Sequence, residues 1–257
     1  MNILETIIAA KRLEVEQKKS HTSIGLLMDG PFFKNKTSSL KKSLEKSRTG
    51  IIAEFKRRSP SKGIINASAT VEEVTKGYTA NGAAGLSVLT DPGFFGGSIE
   101  DLVAATANNC PILRKDFIID EYQLFESKAF GAEVILLIAA CLSKKEVKEL
   151  ADVARDLGME VLLEIHTHAE LDHICDAVDI VGINNRDLKT FLVDVQRSVE
   201  LGKHIPSDKI KISESGIDDV ETVKMLRAEG FSGFLMGEKF MKEKDPVQAF
   251  KIFSEAL

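Results

Sequence analysis

Cysteine is scarce in this chain. Cys110, Cys141 and Cys175 stand far apart with no paired spacing. Neither a disulfide framework nor a thiolate metal site is expected, and a reducing cytoplasm is the expected compartment. Each cysteine reads as a small core hydrophobe rather than a nucleophile. Long apolar runs are missing too; none approaches the roughly 20 residues a membrane span needs. Glu5, Lys11, Arg12, Glu14 and Glu16 interrupt the first residues, which therefore do not read as a secretory signal or an organelle transit peptide. Positive charge is not in excess. The net charge of −5 suits neither nucleic acid nor an anionic membrane, and neither is expected as a partner. What remains is a 257-residue chain, 44% hydrophobic and 28% charged. That balance supports a sizeable core, and the length is ordinary for one β/α barrel.

Apolar runs alternate with helical stretches from about residue 50 onward. The expected strands are Ile51–Lys56, Gly85–Thr90, Ile112–Lys115, Val134–Ile138, Val161–Ile165, Ile180–Asn184, Ile210–Glu214 and Gly233–Met236. Amphipathic segments such as Val71–Tyr78, Lys144–Leu157 and Val220–Ala228 lie between them, with apolar residues at helical spacing. Ser143, Asp218 and Asp219 stand where helices should start, and Gly158 and Gly230 where they should stop. Eight short strands alternating with helices imply parallel pairing with crossovers. An open doubly wound sheet usually carries a glycine-rich phosphate turn after its first strand. Here that strand runs into Lys56-Arg57-Arg58-Ser59-Pro60, so a closed (β/α)8 barrel is predicted. Residues 1–48 fall outside the repeat. They read as a helical extension packed on the barrel, with Ile3, Leu4, Ile7, Ile8 and Val15 on one face. One domain over 1–257 is expected. Lys34, Lys36, Lys41, Lys42, Lys46 and Arg48 face only Glu45 in their segment. They read as a solvated face, or as a basic rim that draws in an anionic substrate.

Strand parity carries the most information. Alternate residues share a face. If Ile51, Ala53 and Phe55 lie under the helices, Ile52, Glu54 and Lys56 point into the barrel. The same reasoning sends inward Leu113, Lys115 and Phe117; Leu162, Glu164 and His166; Asn184 and Arg186; and Ile212 and Glu214. Three cations and three anions on strand ends are costly to bury. They can neutralise one another as a structural plug, yet they converge on the face where barrel enzymes work. Two turns suggest phosphate: Ser213-Glu214-Ser215-Gly216 after the seventh strand and Met236-Gly237-Glu238 after the eighth, with Ser59 nearby.

Together these stretches resemble a known family. Glu54-Phe55-Lys56-Arg57-Arg58-Ser59-Pro60-Ser61, Leu86-Ser87-Val88-Leu89-Thr90, Leu113-Arg114-Lys115-Asp116-Phe117-Ile118, Gly182-Ile183-Asn184-Asn185-Arg186-Asp187-Leu188 and Ser213-Glu214-Ser215-Gly216-Ile217 are similar, in this order, to indole-3-glycerol-phosphate synthase. The resemblance implies a barrel with an amino-terminal helical extension, acting in tryptophan biosynthesis without metal or cofactor. The reaction it implies closes the indole ring of 1-(2-carboxyphenylamino)-1-deoxyribulose 5-phosphate, releasing carbon dioxide and water. It implies Lys115 as the proton donor to the ketone and Lys56 with Glu54 as a second acid and a base. Glu164 lies opposite, and the choice of base between Glu54 and Glu164 stays open. Asn184, Glu214 and Ser215 are expected to hold the sugar hydroxyls, and Arg186 to meet the substrate carboxylate. Phe95 and Phe117 are expected to bracket the aromatic ring, or to pack as ordinary core. Ser59, Gly216, Gly237 and Glu238 are expected around the phosphate. The resemblance leaves room for association with other enzymes of that pathway.

The chain departs from the pattern at Asp91-Pro92-Gly93, where no role is assigned to Asp91, and at Gly237-Glu238, where some relatives carry Gly-Ser. Competing readings are a metal hydrolase using His166 and His168, with His173 nearby, and a sugar-phosphate isomerase. The first lacks a histidine on any other strand end. The second would want a cysteine and an aspartate at strand ends, and Cys141 is on the wrong strand. A binding module with a dead site is the non-enzyme alternative.

Overall fold

The computed structural model describes residues 3–188 and 190–257. Eight parallel strands close into a barrel: β1 (Ile51–Phe55), β2 (Gly85–Leu89), β3 (Ile112–Lys115), β4 (Val134–Ile138), β5 (Glu160–Ile165), β6 (Ile180–Asn184), β7 (Ile210–Glu214) and β8 (Gly233–Met236). Each strand pairs with its neighbours in the chain, and β8 closes on β1 through Ile51↔Phe234. Lys56 lies just past β1, because the ladder to β2 ends at Phe55↔Val88.

Both faces of every strand are covered, which is why the strand sequences are nearly continuous apolar runs. Ile51, Ala53, Phe55, Val88, Leu137, Ile165 and Met236 pack outward in the layer beneath the helices. Ile52, Leu113, Leu136, Leu162, Ile212 and Leu235 fill the interior. Each of these side chains larger than alanine contributes about 1.5–3 kcal/mol when removed from water. The helices obey local rules. Val71–Ala80 buries Val71, Val74, Thr75 and Tyr78, one face at helical spacing, behind a Thr70 cap. Lys144–Asp156 starts with a reciprocal Ser143/Glu146 capping box. Gly158 follows it at φ +76, a backbone conformation that favours glycine as a helix stop.

The amino-terminal segment meets the barrel at both ends. Helix Ile3–His21 buries Ile7, Lys11 and Val15. The short helix Leu40–Lys46 inserts Leu40 and Leu44 among the interior side chains. A Cβ on Gly85 or Gly233, which open β2 and β8, would collide with its neighbours there, Leu40 among them at Gly85. Ser43 Oγ donates to the Ala84 carbonyl at 2.6 Å and Lys41 Nζ to the Asp208 carbonyl at 3.2 Å, both just ahead of strand starts. The basic segment therefore sits at the amino ends of the strands. That overturns its reading as a rim around a substrate mouth, because substrate-facing strand tips point the other way. Among the described residues, no helix is long and apolar enough to cross a membrane.

Candidate active site

A cavity of about 700 Å³ opens at the carboxyl ends of the strands. Parity and register place charges around it. Glu54 leaves β1, Lys115 ends β3, Glu164 lies one residue from the end of β5, Asn184 ends β6 and Glu214 ends β7. Register sets Glu164 beside Gly182 and Asn184 beside Glu214. Glu54, Lys115, Glu164, Asn184 and Glu214 line the cavity, together with Lys56, Ser59, Phe95, Phe117, Arg186, Ser215, Gly216, Gly237 and Glu238.

Lys115 Nζ lies 2.7 Å from Glu164 Oε2 and 3.0 Å from Glu214 Oε2. Lys56 Nζ lies 2.6 Å from Glu54 Oε1. Asn184 Nδ2 donates to Glu164 Oε1 at 3.1 Å. Glu54, Glu164 and Glu214 are only 3%, 3% and 2% exposed; for Glu164 and Glu214 desolvation is severe and the partners decide the charge state. At Lys115 burial opposes the charge, but Glu164, Glu214 and Glu54 outweigh it and lift the pKa above the ordinary lysine range. At Glu164 burial pushes up, but Lys115 and then His166 hold the carboxyl well below its usual range. Glu214 goes the other way. Burial, reinforced by repulsion from Glu164 and Glu54, outweighs Lys115 and raises it to about 7. His166 Nε2 lies 3.3 Å from Glu164 Oε1, an ion-pair distance without hydrogen-bond alignment. Burial works against a charge on this ring, and Glu164 and Glu170 overcome it, raising its pKa to about 9.

The two turns differ in construction. Ser215 adopts φ +67 and Gly216 φ +73, consecutive left-handed residues that turn the backbone sharply. A Cβ on Gly216 would collide with Val193, and one on Gly237 would sit 2.7 Å from Glu54 Oε1. Arg186 Nη2 and Lys62 Nζ each lie 3.6 Å from the Glu238 carboxylate. The Phe95 and Phe117 rings are 6.0 Å apart, tilted by 39°.

Several contributors escaped the sequence reading. Asn185 is fully buried on the far side of β6. Its Nδ2 donates to the Ser215 carbonyl and to Ser213 Oγ, both at 3.0 Å, and so holds the strained turn. Gly182 matters by lacking a side chain, because a Cβ there would strike the Glu214 carboxylate. Ile3, Leu4 and Ile7 reach the cavity wall; a helical stripe shows that a face is covered without showing by what. Asp91, given no role, accepts from the backbone N–H groups of Phe94 (2.6 Å) and Phe95 (3.2 Å). The histidine alternative does not assemble at the cavity. The His168 ring packs 4.8 Å from that of His204, and His173 Nε2 lies 3.1 Å from the Leu142 carbonyl oxygen. Among the described residues, no three histidine, cysteine or acidic side chains form a group suited to a metal ion. Burial pushes the Cys141 thiol up to about 12, which leaves it a poor nucleophile.

Known proteins match this chain at two levels. By fold alone, it superposes on the tryptophan synthase α subunit of Legionella pneumophila (TM-score 0.61, 15% identity, 84% of this chain and 95% of that one). It also superposes on a 3-hexulose-6-phosphate synthase (TM-score 0.63, 10% identity, 81% and 99%). By sequence, it is 50% identical over 257 residues to the indole-3-glycerol phosphate synthase of Bacteroides thetaiotaomicron, covering 100% of this chain and 99% of that one. It is 44% identical to the same-named protein of Caldanaerobacter subterraneus over 250 residues, 93% of each. The family model for indole-3-glycerol phosphate synthase spans residues 4–253. With a barrel that gathers this charged constellation at one mouth and relatives aligned from end to end, the chain belongs to the indole-3-glycerol phosphate synthase family.

Proposed function

We propose that this cavity converts 1-(2-carboxyphenylamino)-1-deoxyribulose 5-phosphate to indole-3-glycerol phosphate, carbon dioxide and water, a carbon–carbon lyase reaction of tryptophan biosynthesis. The observation that carries the reading is the placement of Lys115 Nζ between two buried carboxylates, across a cavity that also holds Lys56 paired with Glu54.

Ring closure requires the carboxyl-bearing aromatic carbon to attack the ketone carbon. The ketone oxygen becomes an alkoxide unless a proton reaches it. Lys115, kept charged by its partners, is the donor; an alkoxide is basic enough to take a proton even from a strengthened ammonium. Glu164 stays ionised and holds that ammonium in place, steadied by Asn184 and His166. The attack sacrifices aromaticity, and loss of carbon dioxide restores it, the carbon–carboxyl electron pair returning to the ring. The new hydroxyl then leaves as water. Lys56 protonates it, and a carboxylate takes the proton from the neighbouring ring carbon. Glu54 is assigned as that base because its paired ammonium at 2.6 Å can relay the proton.

Arg186 offers its planar fork to the substrate carboxylate. Phe95 and Phe117 bracket the aryl ring. The backbone of the Ser215-Gly216 and Gly237-Glu238 turns, with Ser59, receives the phosphate. The test is Lys115→Met with turnover followed by indole fluorescence; the chain has no tryptophan to mask the product. The expected result is wild-type turnover and a loss in kcat of at least about 100-fold. Wild-type protein that binds the substrate without turning it over contradicts the proposal.

A further inference from the structure

Lys11 is out of place. It lies on the amino-terminal helix with only 1% of its surface exposed, and lysine is almost never buried without partners. Three carboxylates meet its ammonium: Glu14 at 2.7 Å, Asp91 at 3.0 Å and Asp116 at 3.0 Å. Glu14 belongs to the same helix. Asp91 and Asp116 follow the ends of β2 and β3. Both are fixed to backbone that carries a cavity aromatic. Asp91 accepts from the N–H groups of Phe94 and Phe95. Asp116 Oδ1 accepts from the Phe117 N–H at 2.8 Å, and its Oδ2 takes Thr90 Oγ1 at 2.5 Å and Arg114 at 3.1 Å. One ammonium thus joins two loops whose rings pack together at a 39° tilt, with centroids 6.0 Å apart.

Docking the helix does not require this. Ile7 and Val15 already bury on the same face, and apolar side chains at positions 11, 91 and 116 together would dock the helix without the cost of desolvating an ionic group. What an apolar side chain cannot do is fix two carboxylates at a set spacing. We infer that Lys11 is a positioning residue that clamps the loops after β2 and β3 so that Phe95 and Phe117 grip the aromatic end of the substrate. The inference rests on the substrate identity proposed above. The clamp acts on the aryl end, while the phosphate turns follow β7 and β8, strands that pair with neither β2 nor β3.

Two fragments separate the ends: 2-(methylamino)benzoate for the aromatic end and inorganic phosphate for the other. Their binding is measured by calorimetry on wild type, Lys11→Met, Lys11→Arg and Asp91→Asn, alongside KM and kcat for the full substrate. Lys11→Met is expected to weaken the benzoate and raise KM by about tenfold or more while phosphate binding stays within about twofold. Lys11→Arg is expected to recover most of the benzoate affinity. Asp91→Asn keeps an acceptor for Phe94 and Phe95 but loses the charge, so it should show the same pattern more mildly; it carries the test if Lys11→Met does not fold. Equal weakening of both fragments, or benzoate binding unchanged in Lys11→Met and Asp91→Asn, overturns the inference. Because the fragments are read by binding, an absence of wild-type turnover would sink the proposed reaction and still leave the clamp measurable.

Discussion

Glu164 and Glu214 share one ammonium, and the sharing is unequal. Glu164 has His166 and Asn184 as additional partners, so it takes the negative charge. Glu214 packs over Gly182 with one oxygen lacking a hydrogen-bond partner, and it retains its proton up to about pH 7. A folded-state pKa above the ordinary 4.5 favours the protonated form. The folded chain therefore loses stability, relative to a neutral variant, as pH rises from about 4.5 to 7. Glu214→Gln is accordingly expected to be more stable than wild type at pH 8 by up to about 3 kcal/mol. The gain should shrink below about 1 kcal/mol at pH 5. Urea unfolding at the two pH values checks it, and a variant less stable at pH 8 than wild type contradicts the assignment. The sequence exposed these residues because a charged side chain at an inward strand position has few structural excuses. It hid Asn185, which faces away from the cavity by the same parity and works through backbone atoms. It hid Gly182, whose contribution is empty space.

At the scale of elements, alternation within β1 was readable. Ile51, Ala53 and Phe55 do lie under the helices, and Ile52 does fill the interior. Cap residues and helix-stopping glycines were also readable, since Ser143, Asp219 and Gly158 act through local hydrogen bonds and local dihedrals. The destination of the amino-terminal elements was not. Leu40 reaches Gly85, and Lys11 reaches Asp91 and Asp116, and no local periodicity encodes contacts so far apart in the chain. Helix Leu40–Lys46 stoppers the end opposite the cavity, so it should contribute to stability alone. Leu40→Ala is expected to cost about 2–5 kcal/mol in chemical unfolding while KM and kcat, measured well below the melting temperature, stay within about twofold. A matching loss of activity in the folded variant would show that the two ends are coupled.

Over the whole molecule, barrel closure divides labour by strand end. Amino ends are filled by Leu40, Leu44, Val134 and Ile180, and carboxyl ends carry the ionic groups around one cavity. Closure is what brings side chains from β3, β5 and β7 within bonding reach, with Glu54 of β1 on the same cavity, since no two of these strands are neighbours in the sheet. Such a cluster is tolerated where its charges pair, and it becomes catalytic only if substrate atoms can enter between the partners. The most direct measurement is a crystal structure with a substrate analogue whose ketone is reduced to an alcohol, so that it binds without closing the ring. The alcohol oxygen is expected within about 2.6–3.2 Å of Lys115 Nζ, the aryl ring at Phe95 and Phe117, and the phosphate at the Gly216 and Gly237 turns. An analogue bound with its alcohol oxygen beyond the reach of Lys115, or bound outside this cavity, would contradict the proposed reaction.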